Sequence, residues 1–204
     1  IMLNAETPRL KFALYGAHSS LGNALLCELL TRQHEAVTLV DDLNSMTVRP
    51  GLRAKTGDLF DATSVSQSVA GMDAVICLFD SPALATASGS AANHQPHDLS
   101  QAVDALLSGL PKVGVDRLLL VVDLSAKGDN PAVAAARQRI AAHPLKWTLV
   151  DAKADGDDLS IEDFNVIDHL DPGDRRVQLR RIAAGIVDEL ETPQHLHEQI
   201  HFRL

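Results

Sequence analysis

Aromatic side chains make up only 3 % of the 204 residues, with one tryptophan and one tyrosine. The core must therefore be aliphatic, which suits a parallel sheet covered by helices. Cysteine is scarce as well. Cys27 and Cys77 both sit inside apolar runs and read as buried, reduced thiols rather than a disulfide framework or a metal site. No apolar run is long enough to span a bilayer. Residues Ile1–Arg9 lack a basic segment followed by an apolar core, so no signal peptide is expected and the cytoplasm is the expected compartment. Positive charge is in deficit: Lys plus Arg total 18 against 27 Asp plus Glu, a net charge of −9. Such a surface repels nucleic-acid phosphates and anionic lipid, which argues against both as partners. The largest cationic group, Arg175, Arg176, Arg180 and Arg181, is interrupted and reads as part of a solvated helix.

What is present is an alternation of short apolar runs and longer helical segments. Strands are expected at Phe12–Tyr15, Ala36–Val40, Leu52–Thr56, Ala74–Leu78, Arg117–Val122 and Trp147–Val150, with Gln199–Phe202 a candidate edge strand. Helices are expected at Leu21–Leu30 with Ser19 or Ser20 as cap, and at Ala62–Ala70 between Asp61 and Gly71. Further helices are expected at Pro96–Leu110, at Asn130–Ala142 behind an Asn-Pro start, and at Arg180–Glu191. Phe79–Gln95 reads as a loop, and Asp151–Asp174 as polar and irregular. Six strands alternating with helices predict a single α/β domain of Rossmann type over residues 1–204: a doubly wound parallel sheet with helices on both faces.

In such a sheet, ligands bind beyond the carboxyl ends of the strands. The first loop there is Gly16-Ala17-His18-Ser19-Ser20-Leu21-Gly22. Gly16 permits a tight turn, Gly22 permits close helix–strand packing, and the helix start offers amides and a positive dipole end to a pyrophosphate. Ser19 stands where a middle glycine normally lets the backbone reach phosphate; its hydroxyl could donate to phosphate instead. A ligand-free strand-to-helix turn is the alternative reading. Asp41-Asp42 end the second strand at the expected distance. A carboxylate there accepts from ribose hydroxyls and repels a 2′-phosphate, favouring NAD over NADP; a solvated strand end is the alternative.

These pieces, with Gly57-Asp58-Leu59, Met72-Asp73-Ala74-Val75-Ile76, Gly114-Val115-Asp116-Arg117-Leu118-Leu119 and Trp147-Thr148-Leu149-Val150, resemble the atypical short-chain dehydrogenases/reductases of the NAD(P)-binding, NmrA-like and NADH-flavin-reductase-like group. The resemblance covers most of the chain. It implies that Asp58 and Leu59 flank an adenine, that Phe79, Asp80 and Ser81 run along the nicotinamide ribose, and that Val122 to Ser125 approach the nicotinamide. It also implies that Asp151 to Lys153 line the cofactor or substrate side. The departures are equally specific. The usual Tyr-x-x-x-Lys pair, in which lysine lowers the tyrosine pKa for proton transfer, is absent, because the one tyrosine, Tyr15, lies inside the first strand. Asp151-Ala152 replaces a frequent Arg-Pro, and Asp123-Leu124 precede Ser125 where a serine pair is common. Ser125 is the candidate catalytic hydroxyl, without an identifiable base.

The expected strand ends carry Asp41, Asp42, Asp58, Asp80, Asp123 and Asp151. Gathered on one crest, they would oppose an anionic dinucleotide or favour a cation; capping of neighbouring amides is the simpler alternative. Lys127, Lys153 and Arg53 are candidate counter-charges. His195, His197 and His201, with His94 and His97, lack a well-spaced third ligand, so no metal site is expected and solvated histidines are the simpler reading. The leading function is an NAD(P)-binding reductase-like protein passing hydride to a flavin or quinone without a tyrosine acid. A noncatalytic dinucleotide sensor or scaffold for a partner protein is the alternative, and a nucleotide-sugar epimerase or dehydratase ranks third. The expected partners are a dinucleotide and a small acceptor, and the expected state is a monomer or homodimer.

Overall fold

The computed structural model describes residues 8–82, 84, 97–165 and 167–202. Seven strands form one parallel sheet: β1 Lys11–Tyr15, β2 Glu35–Val40, β3 Leu52–Thr56, β4 Ala74–Leu78, β5 Arg117–Val122, β6 Lys146–Asp151 and β7 Glu198–His201. Their order is β3-β2-β1-β4-β5-β6-β7, the Rossmann arrangement with one added edge strand. The α-helices bounded among the described residues are α1 Ser20–Thr31, α2 Ala62–Val69, α3 Leu99–Lys112, the single turn α4 Leu124–Lys127, α5 Pro131–Ala142 and α6 Arg175–Glu191. No described helix is long and apolar enough to cross a membrane.

The strands lack polar alternation because both faces are covered. Leu119, Val121, Ile76, Leu78, Phe12 and Leu14 pack beneath α1 and α6. Leu118, Leu120, Val122, Val75, Cys77 and Tyr15 face α2, α3 and α5. Side-chain alternation along each strand thus feeds two separate aliphatic cores. Caps end the helices as the sequence indicates: Ser19 on α1, Asp61 on α2, Asn130 before Pro131 on α5. The seventh strand runs Glu198–His201, one residue earlier than expected, and pairs with β6 in parallel. The expected loop Phe79–Gln95 and His94 fall mostly or wholly outside the described residues.

Two differences have physical causes. The last helix begins at Arg175, not Arg180, because the Asp174 side chain caps it by accepting from the Arg176 amide at 2.9 Å. Nor do its arginines simply face water. Arg180 Nε donates to Glu28 Oε2 at 2.6 Å, Arg32 Nε donates to Glu28 Oε1 at 2.8 Å, and Arg32 also reaches Asp188 and Glu191. This network fastens α1 to α6. The buried His34 joins it. The Leu10 amide donates to His34 Nδ1 at 3.0 Å, which leaves Nε2 protonated to donate to Glu191 Oε2 at 3.0 Å.

At the amino-terminal end of the sheet, Arg117 and Glu189 form a buried pair, with nitrogen to oxygen at 3.4 Å. Glu189 also accepts from the amides of Gln194 and His195 and from the His195 ring. Burial pushes its pKa up, but the His195 ring and the two amides outweigh that and hold it below the ordinary value. These bonds fix the turn that leads into β7. A depressed carboxylate stabilises the fold above its unfolded pKa and loses that contribution as pH falls through the folded value. Glu189→Ala, which strands a buried guanidinium, is expected to cost about 3 kcal/mol at pH 7 in denaturant unfolding. The gap from the parent protein should narrow below pH 4.5, the ordinary carboxylate value.

Candidate functional site

The carboxyl ends of the strands form one crest, and the loop after β1 occupies its centre. Gly16 has φ +79°, and a Cβ there would lie 2.1 Å from the Leu78 carbonyl oxygen, so only glycine lets this loop rest on the end of β4. A Cβ at Gly22 would lie 2.5 Å from the Ala17 carbonyl. Ser81, buried, donates its hydroxyl to the His18 carbonyl at 3.1 Å and ties the β4 end to the same loop. His18 is half-buried and its Nε2 lies 3.0 Å from Ser45 Oγ.

Ser19 is fully buried in the place of the middle glycine. Its hydroxyl accepts from the Gly22 amide at 2.9 Å and points back to the Gly16 carbonyl at 3.4 Å. It is committed to starting α1. The next two amides are committed as well, across the crest. Ser20 N–H donates to the Gly156 carbonyl at 2.8 Å and Leu21 N–H to the Ala154 carbonyl at 3.0 Å. The three amides of the first turn of α1, the groups a pyrophosphate would take, are all bonded within the chain. As arranged, these residues do not fit a dinucleotide pyrophosphate.

The crest is open on the side of β2 and β3. A cleft of about 740 Å³ lies at the ends of β2 and β3, lined by Asp41, Lys55, Gly57, Asp58 and Ser68 among others. Asp41 is exposed, while Asp42 accepts from the Asn44 amide at 2.9 Å. Asp58 accepts from the Phe60 amide at 2.9 Å. Leu59 turns inward and is buried among Val65, Val69 and the helices above them.

On the other side, a second cavity of about 380 Å³ is lined by Asp123, Ser125, Asp151, Lys153, Asp155 and Phe202 among others. Asp80 pairs with Lys127 and accepts from the Asp123 amide at 2.6 Å. Phe79 lies beneath that lysine, 5.8 Å from ring centre to Nζ. Asp123 accepts from the Ala126 amide, and Asp151 from the Leu124 amide at 2.9 Å and from His201 Nδ1 at 3.0 Å. The strand-end aspartates thus act largely as caps for crest amides and as partners of Lys127 and His201. Ser125 is exposed and Val122 is buried. Tyr15 is buried in β1, and burial first, then the nearby Cys77, push its phenol far above the usual value.

The three late histidines do not converge. His195 meets Glu189, His197 meets the Leu145 carbonyl at 2.9 Å, and His201 meets Asp151. His97 stacks on Phe60 with ring centres 4.4 Å apart. Among the described residues no three His, Cys, Asp or Glu are grouped to hold a metal ion. Sequence reasoning missed Ala154, Gly156, Asp158 and Arg175 as parts of the crest. The run Asp155-Gly156-Asp157-Asp158 is a turn signal, but nothing local in it names α1 as its partner.

A family model described as NAD(P)H-binding matches residues 16–193. Solved structures resemble the chain over most of its length. A Rossmann-fold NAD(P)-binding family protein from Shigella flexneri has a TM-score of 0.65 at 16 % identity, covering 95 % of this chain and 93 % of that one. A candidate epimerase from Bacteroides thetaiotaomicron has 0.62 at 20 %, covering 94 % and 95 %. A candidate NADH-flavin reductase from Streptococcus pneumoniae has 0.58 at 22 %, covering 94 % and 98 %. At these identities the likeness carries the fold. The tRNA modification GTPase MnmE of Rhizorhabdus wittichii is 33 % identical over 126 residues, covering 57 % of this chain but only 28 % of that protein. No Gly-Lys pair occurs in this chain, so it has no Gly-x-x-x-x-Gly-Lys-Ser/Thr phosphate loop.

The role of Ser19 as a cap is directly measurable. Ser19→Ala is expected to lower unfolding free energy by about 1 kcal/mol, and Ser19→Gly by only a few tenths. An unchanged unfolding free energy in Ser19→Ala would mean that the hydroxyl does not cap α1.

Proposed function

The chain belongs to the NAD(P)H-binding family, and we propose that it works there as a dinucleotide-responsive sensor rather than as a turnover enzyme. The observation that carries this reading is the closed first turn of α1, whose Ser20, Leu21 and Gly22 amides are bonded to Gly156, Ala154 and Ser19. A dinucleotide can take this seat only if the chain's own carbonyls leave it, so that occupancy is coupled to a change in the chain. The proton machinery points the same way. Tyr15 is buried in the sheet with its phenol held far above the usual value, and Ser125 makes no hydrogen bond to a base among the described residues. The adenosine cleft, with Asp41 and Asp58 on its wall, supplies the recognition half. Asp41 favours a free ribose 2′-hydroxyl over a 2′-phosphate, hence NAD over NADP.

The reductase reading is second, favoured by the cavity of about 380 Å³ beside Asp123 and Ser125, which has room for a small acceptor. Thermal unfolding with millimolar NAD, NADH, NADP and NADPH, followed by NADH oxidation assays with flavins and quinones, separates the two. Ligand at a hundredfold its dissociation constant adds about 2.7 kcal/mol to stability. The expected result is a higher midpoint, larger for NAD than NADP, with no NADH consumption above background. In Asp41→Asn the NAD and NADP shifts should converge. Sustained NADH oxidation with an acceptor would overturn the sensor in favour of the reductase, and no shift with any of the four would overturn both.

A further inference from the structure

The segment that closes α1 is built in a way that a passive loop does not require. Ala152 lies in the core at its start, and Ile161 and Phe164 are buried beyond its end. Between these anchors, residues 153–159 cross the crest. Asp155 and Gly156 take successive left-handed conformations, φ +63° and +74°. That turn aims the Ala154 and Gly156 carbonyls at two neighbouring amides. An aspartate in this region is strained, by about 1 kcal/mol, and something must hold it.

Arg175 holds it. At the first turn of α6, its guanidinium bonds the Asp155 carboxylate, the Asp155 carbonyl at 3.0 Å, and both carboxylate oxygens of Asp158 at 2.7 and 2.9 Å. It also lies 3.4 Å from Ser20 Oγ. Ser20 donates to Asp158 Oδ1 at 3.2 Å, and Asn23 donates to the Leu159 carbonyl at 2.8 Å. The strap therefore presents carbonyl oxygens to the helix amides and carboxylates to an arginine beside them. These are the two kinds of contact that a diphosphate makes with a helix start and a guanidinium.

The clasp is also reached by water. The Asp158 and Arg175 side chains are 60 % and 42 % exposed, so an anion from solution can compete for the guanidinium, replacing a bidentate pair with another of the same kind. Releasing the strap would leave Ala152, Ile161 and Phe164 in place, lift Ala154 and Leu159 from the core, and free the Ser20 and Leu21 amides together with Arg175.

We propose that residues 153–159 are a displaceable strap that mimics a diphosphate on α1, and that a dinucleotide exchanges for it, taking the Ser20 and Leu21 amides and the Arg175 guanidinium. This rests on the dinucleotide-responsive reading above and adds how that response is gated. The strap is the element whose position would report occupancy to a partner.

The test compares the full chain with Asp155→Ala/Asp158→Ala, which loosens the strap but keeps Arg175, and with Arg175→Ala, which loosens the strap and removes the cation. All substitutions are at the surface clasp, and circular dichroism checks that each protein folds. Two quantities are measured: hydrogen exchange at the Ser20 and Leu21 amides without ligand, and NADH affinity by fluorescence titration. In both variants the amides should exchange at least tenfold faster. The double variant should bind NADH at least tenfold more tightly, whereas Arg175→Ala should gain nothing. Equal NADH affinity in the parent and the double variant, with unchanged exchange, would overturn the strap and leave dinucleotide binding standing. Faster exchange without NADH binding to any of the three proteins would overturn the dinucleotide reading, and the exchange proposal with it, while leaving the clasp as described.

Discussion

The first amides of a helix that starts inside a protein must be bonded to something, since a buried donor left alone costs about 1–3 kcal/mol. In this protein α1 starts at the centre of the sheet crest, under fully buried Ser19 and Ser20. The same constraint that makes such a helix start a seat for phosphate elsewhere is met here by the chain's own carbonyls. Much of the site follows. Ser19 can replace a glycine because its hydroxyl serves Gly22. The segment after β6 crosses back over the loop because its carbonyls are needed at Ser20 and Leu21. Arg175, the first residue of α6, sits where it can hold that segment in a left-handed turn.

Charge on the crest is arranged by the same economy of local bonds. A row of aspartates at strand ends would be costly if the carboxylates faced one another in a low dielectric. Instead Asp80 takes Lys127 and the Asp123 amide, Asp151 takes the Leu124 amide and His201, and Asp58 takes the Phe60 amide. Asp41 stays exposed on the wall of the cleft at β2 and β3. The crest is therefore uneven: an open cleft at β2 and β3, a closed helix start at its centre, and a second cavity near β6 and β7.

The sheet was legible because its signals are local. Leu118–Val122 has no polar alternation, which only a strand covered on both faces permits. Asp61, Asn130-Pro131 and Gly71 mark helix ends by chemistry that depends on their immediate neighbours. The glycine loop was legible for the same reason. The strap was not, because its meaning lies in two bonds between residues far apart in the chain, and a polar stretch with one glycine resembles many surface loops. The start of α6 was missed because the cap at Asp174 precedes a run of arginines with no apolar periodicity until Leu179. The arginines themselves looked solvated, and the partner that draws Arg180 inward, Glu28, lies on another helix. The family resemblance implies cofactor contacts along the crest, and nothing in it implies that the central seat is filled from within.

The most direct measurement of this account is scalar coupling across hydrogen bonds by nuclear magnetic resonance on labelled, ligand-free protein. The closed seat predicts correlations from the Ser20 amide nitrogen to the Gly156 carbonyl carbon and from the Leu21 nitrogen to the Ala154 carbonyl carbon, both disappearing on saturation with NADH. Absence of both correlations in the free protein, with the Ser20 and Leu21 amides exchanging at solvent rates, would contradict it and return the helix start to the role of an open phosphate seat.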